Sequence, residues 1–307
     1  MKLDIREELS GIISEENLII NEMMSRHTTF KTGGPADYFV RVNTEDELSH
    51  LLSLLDGKGL TFARDFYIVG NGSNLLVSDE GFRGVIISLS GDFSKVSIDG
   101  NIVNAGSAAL NSMVASSAKD KSLTGFEFAH GIPGTIGGAV VMNAGAYDGE
   151  MKQVIKSVRA MNPDGSIEEY DNESCAFSYR NSIFKKKKQI ILSAKIELLP
   201  GNKAEIEEKM KDLMGRRRDK QPLEYPSAGS TFKRPEGYFA GKLIEDAGLR
   251  GYSHGDAQVS EKHCGFIINK GQASSKDIYE LITYVQDKVK ENSGVDLVPE
   301  VIMLGEF

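Results

Sequence analysis

Residues 131–147 read GIPGTIGGAVVMNAGAY: five glycines, a proline and an asparagine around the short apolar run AVVM. A core strand does not tolerate so many glycines, because each loses extra backbone entropy on ordering. They fit a place where bare backbone approaches something closely and turns its N–H groups toward it. Successive amides in a tight loop form an anion-binding concavity, so a phosphate-bearing cofactor is the usual reason. A second loop of the same character, Gly70-Asn71-Gly72-Ser73-Asn74, lies upstream. Two amide-rich loops point to a long cofactor with a pyrophosphate in its middle, and so to an enzyme.

The loops are not a Rossmann fingerprint, which needs GxGxxG at a strand-to-helix turn. Gly70 and Gly72 supply its first half, but Leu75 stands where the third glycine belongs and no helical pattern follows. Gly131, Gly134 and Gly137 recur every three residues, which is the wrong spacing. The cofactor is therefore expected to be held without dinucleotide-fold geometry.

At 307 residues and 40% apolar content the chain can build two or three domains with their own cores. Its 36 basic and 44 acidic residues leave a net charge of −8, which argues against a general binder of nucleic acid or anionic membrane. No apolar stretch approaches the ~18 residues of a bilayer span. Residues 1–8 are charged and lack the apolar core of a signal peptide. Cys175 and Cys264 have no CxxC spacing and read as reduced, partly buried thiols, so a cytoplasmic location is expected. His27, His50, His130, His254 and His263 show no metal-ligand spacing, and no metal is expected.

Thr44-Glu45-Asp46-Glu47 reads as a capping box opening a helix with Leu48, Leu51, Leu52 and Leu55 on one face. Strands are expected over 66–69 and 85–89, and a hairpin over 96–103. A helix over 110–118, a hairpin over 154–170 and a strand over 189–199 follow. An amphipathic helix over 203–218 ends in Arg216-Arg217-Arg218, with Pro222 as a stop. Helices over 238–247 and 274–290 and a final strand over 298–304 complete a mixed α+β pattern.

Several blocks follow one another along the chain: His27-Thr28-Thr29-Phe30-Lys31-Thr32-Gly33-Gly34-Pro35-Ala36-Asp37, the loop from Gly70 to Leu76, residues 131–147, Ser178-Tyr179-Arg180-Asn181-Ser182-Ile183-Phe184, Ala228-Gly229-Ser230-Thr231-Phe232-Lys233, and Pro299-Glu300-Val301. Singly, the first two suit many flavoproteins of the broader vanillyl-alcohol-oxidase-like class. As an ordered set they resemble the UDP-N-acetylenolpyruvoylglucosamine reductases, or UDP-N-acetylmuramate dehydrogenases. The resemblance implies an α+β chain: a two-lobed FAD-binding module of the vanillyl-alcohol-oxidase/PCMH type plus a C-terminal α+β substrate-binding domain. Lobes over 1–90 and 91–202, a connecting helix over 203–218 and a substrate-binding domain over 219–307 are expected. It further implies non-covalent FAD reduced by NADPH. The flavin then reduces the enolpyruvyl ether of UDP-N-acetylglucosamine to UDP-N-acetylmuramate in peptidoglycan synthesis, in a monomer without nucleic-acid or membrane partners. Only Arg234-Pro235-Glu236-Gly237 separates Lys233 from the Tyr238 helix, so the chain looks like the shorter type lacking an inserted tyrosine loop. Asp148, where the family often has glycine, is a smaller departure.

That reaction adds hydride to the β-carbon of an unsaturated carboxylate, and negative charge develops at the α-carbon. A fixed cation at the carboxylate and an acid at the α-carbon are required. By its match in SYRNS, Arg180 is the cation, whose planar fork suits a carboxylate. By the same resemblance Glu300 sits beside that carboxylate with a shared proton or a raised pKa. Ser230 is the proton donor, workable because an enolate-type carbanion is strongly basic. The expected cofactor contacts are Gly70, Asn71, Gly72, Ser73, Asn74 and Leu75 in one loop. In the other they are Gly131, Ile132, Pro133, Gly134, Thr135, Gly137 and Gly138, with Asn143, Ala144 and Gly145 near the flavin. Lys220, Lys233 and Tyr179 are expected at the substrate, and Arg216, Arg217 and Arg218 add positive field there. The run from Lys185 to Lys188 reads as a solvated hairpin tip, with attraction of the NADPH 2′-phosphate as the sharper alternative. Two other readings remain open at this point. One is a flavin-dependent oxidase of a small alcohol, a class that often tethers FAD through histidine or cysteine. The other is a non-catalytic binder, in which Arg180, Ser230 and Glu300 need not converge.

Overall fold

The computed structural model describes residues 4–307; Met1, Lys2 and Leu3 of the charged N-terminal stretch lie outside the described residues. Only the forward half of the expected capping box forms at Thr44, the return contact of Glu47 falling one residue before the cap. The Thr44 hydroxyl accepts from the Glu47 N–H (3.2 Å), and the Glu47 carboxylate accepts from the Asn43 N–H (2.7 Å). The helix it starts, Glu45–Gly57, buries Leu48, Leu51, Leu52 and Leu55 against a four-stranded sheet. That sheet is ordered Leu18–Met23, Pro35–Val42, Phe82–Leu89, Phe66–Val69. Its first pair is antiparallel and the other two are parallel. The strand patterns named from sequence omit Leu18–Met23 and Pro35–Val42. Pro35–Val42 is buried on both faces and lacks the two-residue alternation that marks a half-exposed strand.

A second sheet is antiparallel throughout, ordered Ile167–Asp171, Ile155–Met161, Ile190–Glu197, Ile102–Gly106, Val96–Asp99. Helices Asn111–Asp120, Ile136–Val141 and Lys203–Lys220 pack around its core, the last through Ile206 and Met210. The AVVM run thus ends a short helix. The two sheets share packing, because Met161, Ile190 and Leu192 of the second join the core of the first.

The remaining unit sets Ala240–Asp246 and Ser275–Ser293 against strands Ser253–His254, Ala257–Val259 and Ile267–Asn269. Ile278, Leu281, Ile282, Val285 and Val289 are fully buried along one face of the long helix. Phe30 and Leu76, distant in sequence, complete this core. The Asp79 carboxylate accepts from the N–H groups of Ser275 and Lys276 (2.8 and 2.9 Å), satisfying free donors at the helix start. The strand expected over 298–304 contracts to Ile302–Leu304, which pairs in parallel with Leu75–Val77. Pro299 has no N–H to give a ladder and makes only an isolated bridge to Phe232.

Candidate active site

One cavity of about 770 Å³ receives both glycine-rich loops and Arg180, Ser230 and Glu300, the three residues expected to carry the reaction. Gly70, Asn71, Gly72, Ser73, Asn74 and Leu75 line it from one side. Ile132, Pro133, Gly134, Thr135, Gly137 and Gly138 line it from the second loop, continued by Ala144 and Gly145. The loops are joined directly, since the Ser73 hydroxyl donates to the Pro133 carbonyl (2.9 Å). Gly72 has φ +61°, and a Cβ there would fall 1.9 Å from the His27 carbonyl oxygen. Only glycine lets the 27–32 segment press against this loop, where the Thr29 N–H donates to the Gly72 carbonyl (3.2 Å). The histidine-led block therefore braces the cofactor loop from behind.

Gly131 and Asn143, expected at the cofactor, do not line the cavity. A Cβ on Gly131 would meet Met214 Sδ at 2.9 Å and Arg217 Nε at 3.0 Å, so the bare backbone there admits the connecting helix. Asn143 is buried and donates through Nδ2 to Glu150 Oε2 (3.1 Å) and the Ser178 carbonyl (3.2 Å). It ties the second loop to the turn that carries Arg180.

That turn is tight. Ser178 and Asn181 exchange backbone hydrogen bonds (3.0 and 3.1 Å), and the Ser182 hydroxyl donates to the Val141 carbonyl (2.8 Å). Arg180 is consequently held at φ +53°, a left-handed conformation costing a non-glycine residue of order 1–3 kcal/mol. Its Nε lies 2.6 Å from Glu300 Oε1, as an ion pair whose N–H is not aligned on the carboxylate. The two side chains are 24% and 13% exposed, so the pair is largely withdrawn from water. Burial pushes the Glu300 carboxyl above its ordinary value, against the pull of Arg180, Lys233 and Lys185. A raised pKa is as expected, but desolvation supplies it before any second carboxylate arrives.

Ser230 opens onto the same cavity. Its segment lies beside that of Glu300, whose N–H donates to the Thr231 carbonyl (2.8 Å) while its carbonyl accepts from Asn74 Nδ2 (3.1 Å). The sequence thus brings Arg180, Ser230 and Glu300 to one wall from three separate blocks. Lys220, Lys233 and Tyr179 stand outside that wall. Lys220 is exposed at the end of its helix. Lys233 is half-buried and acts on Glu300 through its charge. Tyr179 is 55% exposed.

The lysine run is corrected by the structure. Ile183–Lys187 is a short helix rather than a hairpin tip, and Lys185 and Lys188 line the cavity. Arg217 lines it too, only 8% exposed, with its guanidinium 5.9 Å from the Tyr147 ring centroid. No carboxylate pairs with it among the described residues, and burial lowers its pKa against the opposing effect of Tyr147. Besides Arg180 Nε, three buried polar atoms on the wall lack partners: Ser107 Oγ, Asn111 Oδ1 and Gln189 Oε1. Buried polar groups are normally satisfied, so these mark places for a polar ligand. Sequence reasoning left them unnamed because a lone serine, asparagine or glutamine carries no motif. Arg217 was visible only as one of three arginines. No histidine or cysteine is among the described residues that line the wall.

Residues 36–171 match the model of an FAD binding domain, and residues 221–304 match the C-terminal domain of UDP-N-acetylenolpyruvoylglucosamine reductase. The reductase of that name from Caldanaerobacter subterraneus subsp. tengcongensis is 51% identical over 300 residues, covering 98% of each chain. The one from Clostridioides difficile is 50% identical over 303 residues, covering 99% of this chain and 98% of its own. In three dimensions the chain is similar to the crystal structure of UDP-N-acetylenolpyruvylglucosamine reductase from Thermus caldophilus. The TM-score is 0.81 at 34% identity, with 94% of this chain and all of the other covered.

Proposed function

The chain belongs to the UDP-N-acetylenolpyruvoylglucosamine reductase family, and we propose that Arg180, Ser230 and Glu300 carry the family's reaction in it. It is an FAD-dependent oxidoreductase that reduces the enolpyruvyl ether of UDP-N-acetylglucosamine in peptidoglycan synthesis, with NADPH as the hydride donor. The observation that carries the residue assignment is the meeting of all three side chains in the cavity that both glycine loops line.

The cavity suits FAD: it is lined by both glycine-rich loops and furnished with an arginine that pairs with no carboxylate and with the unpartnered Ser107, Asn111 and Gln189 oxygens. Arg217 and the two loops would hold the anionic middle of the cofactor, and Ser107, Asn111 and Gln189 its polar edges. FAD, when bound, supplies the hydride that reaches the β-carbon of the enol ether. Arg180 engages the substrate carboxylate through its two Nη groups, since Nε already meets Glu300. That fixed charge stabilises the electron density spreading from the α-carbon, where a single preorganised donor is worth about 3–4 kcal/mol. Burial raises the Glu300 carboxyl above its ordinary value, and in its protonated form Glu300 would donate to the same carboxylate instead of repelling it. Ser230 Oγ passes its proton to the α-carbon and is reprotonated from a neighbour.

In this reading the lobes run over 1–90 and 91–202, the connecting helix over 203–218 and the substrate-binding domain over 219–307. The four-stranded, five-stranded and three-stranded sheets fall within those spans. A monomer is part of this reading. The free, buried Cys175 and Cys264 support a reducing, cytoplasmic setting.

Anaerobic stopped-flow on the holoenzyme tests the assignment. NADPH should bleach the flavin, and the enolpyruvyl UDP-sugar should restore its colour. In Ser230→Ala the bleaching should persist while recovery slows by roughly 10²–10⁴-fold, the usual weight of a general acid. Equal slowing of both halves removes Ser230 from the acid role. Recovery with oxygen but not with the UDP-sugar removes the function.

A further inference from the structure

The segment that carries Ser230 is held at both ends by one strand, Ile267–Asn269. At its entry the Asn269 N–H donates to the Pro226 carbonyl (2.9 Å), and at its exit the Ile267 N–H donates to the Thr231 hydroxyl (3.0 Å). Ser227, Ala228, Gly229 and Ser230, between those anchors, all line the cavity. Where Ser230 stands is therefore set by where this strand stands.

The side chain of Asn269 fixes the strand against the cofactor side. It is 4% exposed, and its Nδ2 donates to the Phe30 carbonyl across a buried contact (3.1 Å). Its Oδ1 accepts from the N–H groups of Gly271 and Ala273 (3.0 and 3.1 Å), which orients the amide one way only. One residue before Phe30, the Thr29 N–H donates to the Gly72 carbonyl of the first glycine loop. Phe30 itself is fully buried in the core of the C-terminal unit. A single carboxamide thus reaches from the support of the cofactor loop to the strand that anchors the serine segment. Aspartate could not replace it, because a carboxylate oxygen would then face the Phe30 carbonyl with no proton between two acceptors.

Resting on the assignment of Ser230 as the acid, we infer that Asn269 is a positioning residue for the proton transfer, setting where Ser230 Oγ stands relative to the first glycine loop. The first half-reaction, bleaching by NADPH, calls on no proton from Ser230. Reduction of the enol ether does, and a misplacement of ~1 Å caused by a change far from the chemistry costs about 10²-fold. Loss of the Asn269 amide should therefore divide the two half-reactions, where loss of a general support of the fold would not.

The experiment is a double-mutant cycle on the holoenzyme, with Asn269→Asp and Ser230→Ala made singly and together. Asn269→Asp should slow recovery of flavin colour by the enolpyruvyl UDP-sugar about 10²-fold and raise the solvent deuterium isotope effect on that step. Bleaching by NADPH and the FAD dissociation constant, read from flavin fluorescence, should stay close to the parent's. In the Ser230→Ala background the same substitution should slow recovery hardly further, because the proton it positions is already gone. Thr231→Val removes the hydroxyl anchor at the other end of the segment and keeps its outline. It should divide the half-reactions in the same way, so the inference is testable even where Asn269→Asp folds poorly. Losses that add in full in the double variant overturn it. So does equal slowing of bleaching and recovery, or a weakened grip on FAD, each of which makes Asn269 a support of the fold or of the cofactor. Recovery unimpaired in Ser230→Ala alone strikes the assignment of Ser230 itself, and this inference with it.

Discussion

At Glu300 the surroundings set the direction of a pKa shift that composition could not. Its carboxyl is buried beside Arg180, with Lys233 and Lys185 adding field, and desolvation outweighs all three cations. A carboxyl whose pKa is raised stays protonated to higher pH than a free one, then ionises as pH rises through the raised value. Recovery of flavin colour by the UDP-sugar should therefore fall on the alkaline side of the ordinary carboxylate range. Glu300→Gln, which has no proton to lose, should flatten that limb while lowering the optimum rate by about 10–100-fold. A pH profile of the second half-reaction reads this, and the same limb in the variant would assign it to another group. Arg180 shows the limit of pattern reading at this scale. Its motif names the residue, but its left-handed backbone and its contact with Glu300 come from the turn closed by Ser178 and Asn181.

Among the elements, helix Lys203–Lys220 has the position on which the cavity most depends. Its middle is anchored where Lys209 Nζ lies 3.3 Å from Glu127 Oε2, and its end delivers Arg217 past Gly131. Glu127 is 3% exposed, and its carboxylate also accepts from the Gly125 N–H (3.0 Å) and from the Thr124 hydroxyl. Burial alone would push this carboxyl up; the Thr124, Gly125 and Lys209 interactions together prevail and hold it below its ordinary value. A depressed carboxylate contributes stability above its unfolded pKa and loses it as pH falls through the folded one. Glu127→Gln should thus cost about 1–3 kcal/mol in urea unfolding at neutral pH. The deficit against the parent should shrink as acid protonates Glu127. A deficit unchanged in acid would make its cause steric. The amphipathic pattern of this helix was plain in the sequence, as was that of Ser275–Ser293. That Arg217 alone of three adjacent arginines turns inward was not, because side-chain direction depends on which glycine the helix meets.

The whole molecule is built around a seam. The cavity wall draws on all three sheet-centred units, so ligand binding is linked to the folding of each. Stripping FAD should lower the thermal midpoint, and FAD at about 100 times its Kd should return ~2.7 kcal/mol, or several degrees. A midpoint indifferent to FAD would place the cofactor elsewhere. Acid precipitation should release the flavin, since the wall holds no histidine or cysteine among the described residues. The fold class, and the three residues proposed for the reaction, were legible because long-range partners are written as contiguous blocks. Ser107, Asn111, Gln189 and Lys185 were not, since each gains its meaning only when distant segments close on it. The last strand sets the order in which this can happen. Ile302–Leu304 lies against Leu75–Val77, the Ile302 N–H donates to the Asn74 carbonyl (2.9 Å), and the Glu300 carbonyl receives Asn74 Nδ2. During translation the flavin loop is among the early segments to emerge, yet its clasp reaches the outside of the ribosome only after residue 304 has cleared the exit tunnel. A nascent chain can fold its first sheet long before then, but it cannot close this clasp until residues 302–304 have emerged.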